Sequence, residues 1–125
     1  MKRALIILDH GSRRPEAHLH LERVADRVRE SDASLSVFTA HLELAEPSLG
    51  DAIRACVEAG HAEVAIHPLF LIPGNHVARD IPEIVAEAAR RHPELHIRVL
   101  EPIGERAELA SLILATLDEG KDGEG

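Results

Sequence analysis

The order of apolar segments restricts this chain to few folds. Short, continuous apolar runs at residues 3–8, 34–42, 63–71 and 95–100 predict buried β-strands. After each run, apolar residues recur at the i, i+3, i+4, i+7 spacing of an amphipathic helix. Strands that alternate with helices form a parallel sheet with right-handed crossovers and helices on both faces. We therefore predict a three-layer α/β fold whose four parallel strands lie in the order 2-1-3-4.

The length of the chain suits one domain. A chain of 125 residues is long enough to build its own core. We predict one domain over residues 1–118 and a polar, disordered tail over residues 119–125. The apolar runs are too short to span a bilayer, and the amino end has no charged-then-apolar leader, so we expect a cytoplasmic protein without a membrane partner. Cys56 lies on an apolar helix stripe, where we expect it to be buried.

The charge balance argues against one class of partner. The chain has 14 Lys and Arg against 22 Asp and Glu, which gives a net charge of −8, and only 2% of its residues are aromatic. Nucleic-acid binding needs phosphate neutralisation and often aromatic stacking, so we expect no nucleic-acid partner. The nine histidines are dispersed along the chain and do not form a metal-binding tract.

Potential metal ligands follow three of the predicted strands. His10 follows the first strand, Glu43 follows the second, and His76 closes the segment after the third. The carboxyl ends of parallel strands share one edge of the sheet, and ligands bind there. Two imidazoles and a carboxylate hold a divalent transition metal and leave coordination positions open. The sequence therefore predicts that these three residues meet in a metal site.

The sequence leaves open the roles of three polar neighbours. Asp9 precedes the first histidine, but strand alternation points it to the opposite face, so its role stays open. His41 lies two residues before Glu43 on the same face, either as a partner of that carboxylate or as a surface residue. Glu46 competes with Glu43, although we expect it to serve the start of the second helix, where a negative charge is favourable.

Local signals also predict where two helices begin. Asp80 and Glu83 have the spacing of a capping box, so we expect the third helix to start near Asp80. Pro47 suits the first turn of the second helix, and Gly60 suits the end of that helix.

Four motifs, in order, resemble a known family. They are "HGSR" after the first strand, "LELAEPSL" after the second, "PLFLIPGNHVARDIPE" after the third, and "IRVLEPIGE" at the fourth strand. Together they resemble the small sirohydrochlorin cobaltochelatase family, the short CbiX type, which is related to sirohydrochlorin ferrochelatases and nickelochelatases. The resemblance covers about residues 3–118, and the set of four motifs at this spacing is specific.

The resemblance implies an activity and a site. Members of the family are lyases that insert a divalent metal into a modified tetrapyrrole during cobalamin, sirohaem or F430 biosynthesis, without ATP. It implies a chelatase-like half-unit that works as a homodimer, with no permanently bound cofactor. The metal is a substrate: Co(II) is expected, and Fe(II) or Ni(II) are alternatives. His10 and His76 match the metal-binding positions of the family. Glu43 matches the acidic residue that assists them, as a ligand or as a base.

Residues beside these ligands are candidates for binding a sirohydrochlorin-type tetrapyrrole, a flat apolar ring with peripheral carboxylates. Ser12, Arg13 and Asn75 flank the histidines and have groups that hydrogen-bond to carboxylates. Leu71 and Ile72 are candidates for contact with the face of the ring. The alternative for Arg13 is a surface residue that contributes only to solubility.

Two other classes of function remain open. The same ligands suit a metal-binding or metal-delivery module without insertion activity. A phosphate-handling enzyme built on "HGSR" is a weaker alternative, because the chain lacks a Gly-rich phosphate loop.

Overall fold

The computed structural model describes residues 3–120, without the side chain of His76, and the predicted tail over 119–125 falls mostly outside these residues. The strands are β1 (Arg3–Asp9), β2 (Leu35–His41), β3 (Glu63–Pro68) and β4 (His96–Val99). The helices are α1 (Pro15–Ser31), α2 (Leu49–Glu58), α3 (Asn75–Arg91) and α4 (Glu108–Glu119), and a 3-10 turn spans Ile103–Glu105. No described helix is long and apolar enough to cross a membrane.

The four strands form one parallel sheet in the order β2-β1-β3-β4, which confirms the predicted topology. In the central strand, Asp9 pairs in register with His41 of β2, and Leu8 pairs with Pro68 of β3. Three strands therefore end side by side at one edge. The segments that follow them start at that edge, as expected for ligand-binding loops in an open α/β sheet.

Side chains of alternate strand residues pack into two separate clusters, one on each face of the sheet. Residues such as Ile6, Leu8 and Ile66 pack towards α2 and α3. Residues Ile7 and Val37 pack against α1 on the other face. Cys56 of α2 is buried in the first cluster, as predicted. Burial raises the pKa of its thiol to about 12, so Cys56 acts as a small apolar residue.

Helix α4 is largely uncovered. None of its residues is buried, and Leu112, Ile113, Leu114 and Leu117 are between 56% and 75% exposed. On the face of the sheet that carries α1, an open groove of about 360 Å³ runs across β1, β3 and β4. The groove is lined by apolar residues and by charged or titratable residues, among them Leu5, Leu35, Ala65, Leu100, Arg3, Glu63, His96 and Arg98.

The predicted start of α3 is wrong. The helix begins at Asn75, with Gly74 at the N-cap position, and Pro82 lies inside it. Val77 and Ile81 are both buried, so the apolar stripe of the helix already includes Val77. The burial of this stripe outweighs the local capping signal of Asp80 and Glu83.

The start of α2 also differs from the prediction. Pro47 precedes the helix, and Ser48 is the N-cap. The Ser48 hydroxyl accepts from the N–H of Asp51, and the Asp51 carboxylate accepts from the N–H of Ser48. This capping box provides the negative charge that was expected from Glu46. Gly60, with φ +91°, follows the C-cap residue as predicted.

Candidate functional site

The segments after β1 and β2 remain paired beyond the sheet. The N–H of Leu42 donates to the carbonyl of Asp9 (2.9 Å), and the N–H of Glu43 donates to the carbonyl of His10 (3.0 Å). These bonds bring the first two predicted ligands, His10 and Glu43, side by side along the backbone. Both residues are exposed, so a ligand can reach them from solvent.

A glycine allows this close approach. Gly11 has φ +96°, a conformation that L side chains rarely adopt. A Cβ atom at this position would lie 1.7 Å from the carbonyl oxygen of Glu43, in direct overlap with it. Any other residue would therefore push the two loops apart. This steric restriction explains why a glycine stands at this position of "HGSR".

The ring of His10 packs against a residue that follows β3. Its centroid lies 4.3 Å from that of Phe70, and the two planes are tilted by 39°. Phe70 is buried and belongs to the core on the face of α2 and α3. The contact restricts the orientation of the imidazole. The sequence did not single out Phe70, because an aromatic residue in an apolar run carries no sign of a role at the site.

His76 lies in the first turn of α3, which begins seven residues after β3 ends. Its backbone therefore follows the same edge of the sheet as His10 and Glu43, but its side chain lies outside the described part of the structure. Among the described side chains, no three of the types His, Cys, Asp and Glu converge to hold a metal ion. The set of three ligands stays a prediction.

The polar candidates for substrate binding differ in their availability. Arg13 is exposed and forms no hydrogen bond or ion pair with the residues that the structure describes. The Ser12 hydroxyl accepts from the N–H of Arg14 (3.0 Å), which leaves its own O–H free to donate. Asn75 is exposed as the first residue of α3. Arg13 thus presents a guanidinium group that is available to bind an anion.

The apolar candidates protrude from the same edge. Leu71 is 66% exposed and Ile72 is 83% exposed. The 3-10 turn supports them from behind, because the N–H of Gly104 donates to the carbonyl of Phe70 (3.0 Å) and a Cβ at Gly104 would overlap the carbonyl of Leu71. Such exposure of large apolar side chains is typical of a binding surface.

A further exposed apolar residue follows Glu43, and the sequence analysis missed it. Leu44 is 54% exposed and has φ +68°, the one positive φ among the described residues that are not glycine. Such a conformation in a leucine is unusual and marks a locally constrained turn. No feature of the sequence signals it.

His41 is neither a partner of Glu43 nor a surface residue, the two alternatives that the sequence offered. It is only 4% exposed, and its Nδ1–H donates to Oδ1 of Asp9, 2.6 Å away. It therefore neither lies on the surface nor hydrogen-bonds to Glu43. Asp9 points away from His10, as alternation predicted, and its partner is the buried imidazole of the neighbouring strand.

The fold and this edge define a parallel α/β domain with candidate ligands for a transition metal at the carboxyl ends of its strands. The chain belongs to the CbiX family, whose family model matches residues 4–120. This result confirms the resemblance found in the sequence motifs.

Relatives and solved structures agree with this assignment. The chain is 42% identical over 100 residues to the chloroplastic sirohydrochlorin ferrochelatase of Arabidopsis thaliana, a match that covers 80% of this chain and 44% of the relative. A CbiX protein of cobalamin (vitamin B12) biosynthesis from Marinobacter aquaeolei VT8 superimposes with a TM-score of 0.82 and 31% identity, over 94% of this chain and 95% of the other. The sirohydrochlorin chelatase SirB from Bacillus subtilis subspecies spizizenii, in complex with cobalt, superimposes with a TM-score of 0.81 and 30% identity, over 95% of this chain and 51% of the other.

Other curated relatives are named sirohydrochlorin cobaltochelatase. The chain spans about half the length of the curated relatives that it matches, between 38% and 57% of the first three.

Proposed function

We propose that this protein inserts a divalent metal into sirohydrochlorin without ATP. Membership of the CbiX family carries the proposal, because the curated relatives are named for cobalt or iron insertion into this tetrapyrrole. Co(II) is the metal that we expect, with Fe(II) and Ni(II) as alternatives. An N/O ligand set binds Ni(II) more tightly than Co(II), and Co(II) more tightly than Fe(II), so affinity alone does not choose the metal.

The reaction requires three tasks, which we assign to the residues at the edge of the sheet. The metal is presented with open coordination positions, the macrocycle is bound, and the two pyrrole N–H protons leave as the metal enters. We propose that His10 and His76 hold the metal as neutral imidazoles. Glu43 is exposed beside His10, where it can take up a pyrrole proton and release it to solvent.

The surface around these ligands suits the tetrapyrrole. Leu71 and Ile72 offer apolar contact for the face of the ring, and Leu44 protrudes next to Glu43. We propose that Arg13, with Ser12 and Asn75, binds peripheral carboxylates. The protein carries a net charge of −8, so attraction of this anionic ligand must come from such local groups and not from the overall charge.

An insertion assay tests the proposal directly. Protein, sirohydrochlorin and buffered Co(II), Fe(II) or Ni(II) are mixed, and insertion is followed by the change in the visible spectrum. We expect acceleration by the parent protein and nearly none by His10→Ala. His20→Ala is the matched control, because His20 is an exposed histidine of α1. Metal binding without acceleration would instead indicate a metal-delivery module.

We also propose that the working form is a homodimer. The chain spans about half the length of its curated relatives, so two copies match one relative in size. Helix α4 is apolar on most of its surface, and a helix of this kind is normally buried. All three of its charged residues, Glu108, Asp118 and Glu119, are acidic, whereas the groove beside β4 carries Arg3, His96 and Arg98. The groove also contains one acidic residue, Glu63, but its cationic side chains outnumber it, and we propose that α4 packs into the groove of a second copy.

Light scattering of purified protein checks the dimer. Replacing both Ile113 and Leu117 by glutamate should give monomers at micromolar concentration, because two charges would enter the apolar interface. Ser111→Glu is the control, since it adds charge to the same helix on the side that carries Glu108 and Asp118. A parent protein that is monomeric and fully active would refute the proposal.

A further inference from the structure

A polar pair, of which one member is buried and the other half-buried, lies at the strand ends just before the predicted ligands His10 and Glu43. His41 is the one polar residue buried among those whose side chains the structure describes, and its Nδ1–H donates to Asp9 at 2.6 Å. These residues are in register at the ends of β2 and β1. The hydrogen bond therefore joins the two strands where their chains continue towards His10 and Glu43.

A third side chain extends this pair to the loop after His10. His18 of α1 lies with its ring centroid 4.8 Å from that of His41. Its Nε2–H donates to the carbonyl of Ser12 at 2.7 Å. The cluster of Asp9, His41 and His18 thus contacts the end of β1, the end of β2 and the loop that carries "HGSR".

The position of the cluster matters because the backbone beyond it is closely packed. The carbonyl of His10 accepts from Glu43, and Gly11 lies directly against the carbonyl of Glu43. A small shift between the ends of β1 and β2 would therefore change the separation of the two candidate ligands. Side chains that fix such a geometry typically change metal affinity or activity by about 10–100-fold when removed.

Stability alone gives a weak reason for this pair. A buried ionic or polar pair is often replaced by apolar residues without loss of stability. On this face, Ile7 precedes Asp9 and packs against α1, whereas Thr39 precedes His41 and donates a hydrogen bond to Glu22 of α1. The Thr39 hydroxyl binds a helix, but Asp9 and His41 bind each other and join the last positions of the two strands, which suggests a different role.

We propose that Asp9 and His41 are positioning residues that set the separation of His10 and Glu43, and that His18 holds the intervening loop in place. The inference rests on the proposed metal site and assigns no direct contact with substrate to any of the three. Their effect is on the ligands, through the backbone to which both are attached.

The test compares two replacements of one side chain. His41→Leu removes the donor but fills the space, and it should weaken Co(II) binding and slow insertion by about 10–100-fold, with an unchanged KM for the tetrapyrrole. In His41→Asn, the side-chain N–H₂ takes the place of the Nδ1–H, so this variant should recover much of the loss. Thr39→Val is the control, because it removes a different hydrogen bond between β2 and α1, from Thr39 to Glu22 (3.0 Å).

Co(II) affinity is measured by titration and insertion by the visible spectrum, with folding checked by circular dichroism. Parental affinity and rate in His41→Leu would overturn the inference, as would a parent protein that binds no Co(II). A parent that binds Co(II) but inserts none would refute the proposed function alone. The Co(II) affinity of His41→Leu relative to that of the parent would still test the positioning role. If His41→Leu does not fold, the double variant Asp9→Leu and His41→Leu replaces both polar residues by an apolar pair. Its Co(II) affinity is then compared with that of the parent.

Discussion

Replacing Gly11 by alanine tests how the two loops meet at the site. The new Cβ would lie 1.7 Å from the carbonyl oxygen of Glu43, and ordinary contact begins at 3.4 Å. The distance between this Cβ and the oxygen must therefore increase by about 1.7 Å, so the two backbones must move apart. Such a movement would break the hydrogen bond from the N–H of Glu43 to the carbonyl of His10.

Two costs determine the magnitude. An L residue in the left-handed region costs roughly 1–2 kcal/mol, and the lost hydrogen bond costs about 1 kcal/mol. We expect the free energy of unfolding to fall by about 2–3 kcal/mol and the melting temperature to fall by roughly 10 °C. Displacing Glu43 from His10 by on the order of 1 Å should slow metal insertion by about 100-fold.

Gly60 provides the matched control. Its φ is +91°, nearly that of Gly11, but no heavy atom lies within 4 Å of the site of its Cβ. Gly60→Ala should therefore show the conformational cost alone, about 1–2 kcal/mol, with the parental insertion rate. Urea denaturation gives the stabilities, and the visible spectrum gives the rates. If the two variants lose the same stability and both stay fully active, the loops do not meet as described.

Three further outcomes are expected. Glu43→Gln should keep most of the Co(II) affinity, because Gln retains an oxygen, but should slow insertion by roughly 10²–10⁴ if Glu43 moves protons; loss of metal binding in a titration would make it a ligand instead. Burial lowers the pKa of His67 below its ordinary value of 6.5. Below about pH 6.5 the unfolded chain binds a proton that the folded chain does not, so the free energy of unfolding should decrease as the pH is lowered. The urea midpoint of His67→Gln should decrease less steeply over the same pH range than that of the parent. Because burial raises the pKa of Cys56 to about 12, its thiol should resist alkylation at about pH 8 until urea unfolds the protein, and rapid labelling of the native protein would contradict this.

The repeated elements of the fold could be predicted because each is encoded locally. The apolar runs of the strands and the stripe of α1, with Leu21 and Ala25 buried, follow periodicities that are visible in one stretch of chain. The start of α3 was less predictable, because two signals compete there. The spacing of Asp80 and Glu83 is local, whereas the burial of Val77 depends on packing against the sheet.

The pairing of Asp9 with His41 shows what the sequence alone does not contain. The two residues are 32 positions apart, and they meet only because of the register between β1 and β2. A shift of one residue would turn His41 to the other face of the sheet. Likewise, the proximity of His10 and Glu43 was predictable from the parallel topology, but the close contact at Gly11 depends on backbone geometry.

The strand order also has a consequence for synthesis of the chain. The central strand β1 is made first, but its neighbours end only at His41 and Pro68. Until those residues have left the ribosome, the apolar run Ala4–Leu8 has no partner strand, and such a segment is prone to aggregate. Arg3 and Asp9 place a charge at each end of the run, a pattern that limits wrong pairing during translation. The charge at the carboxyl end of the run is the same Asp9 carboxylate that binds His41 once β2 is in place.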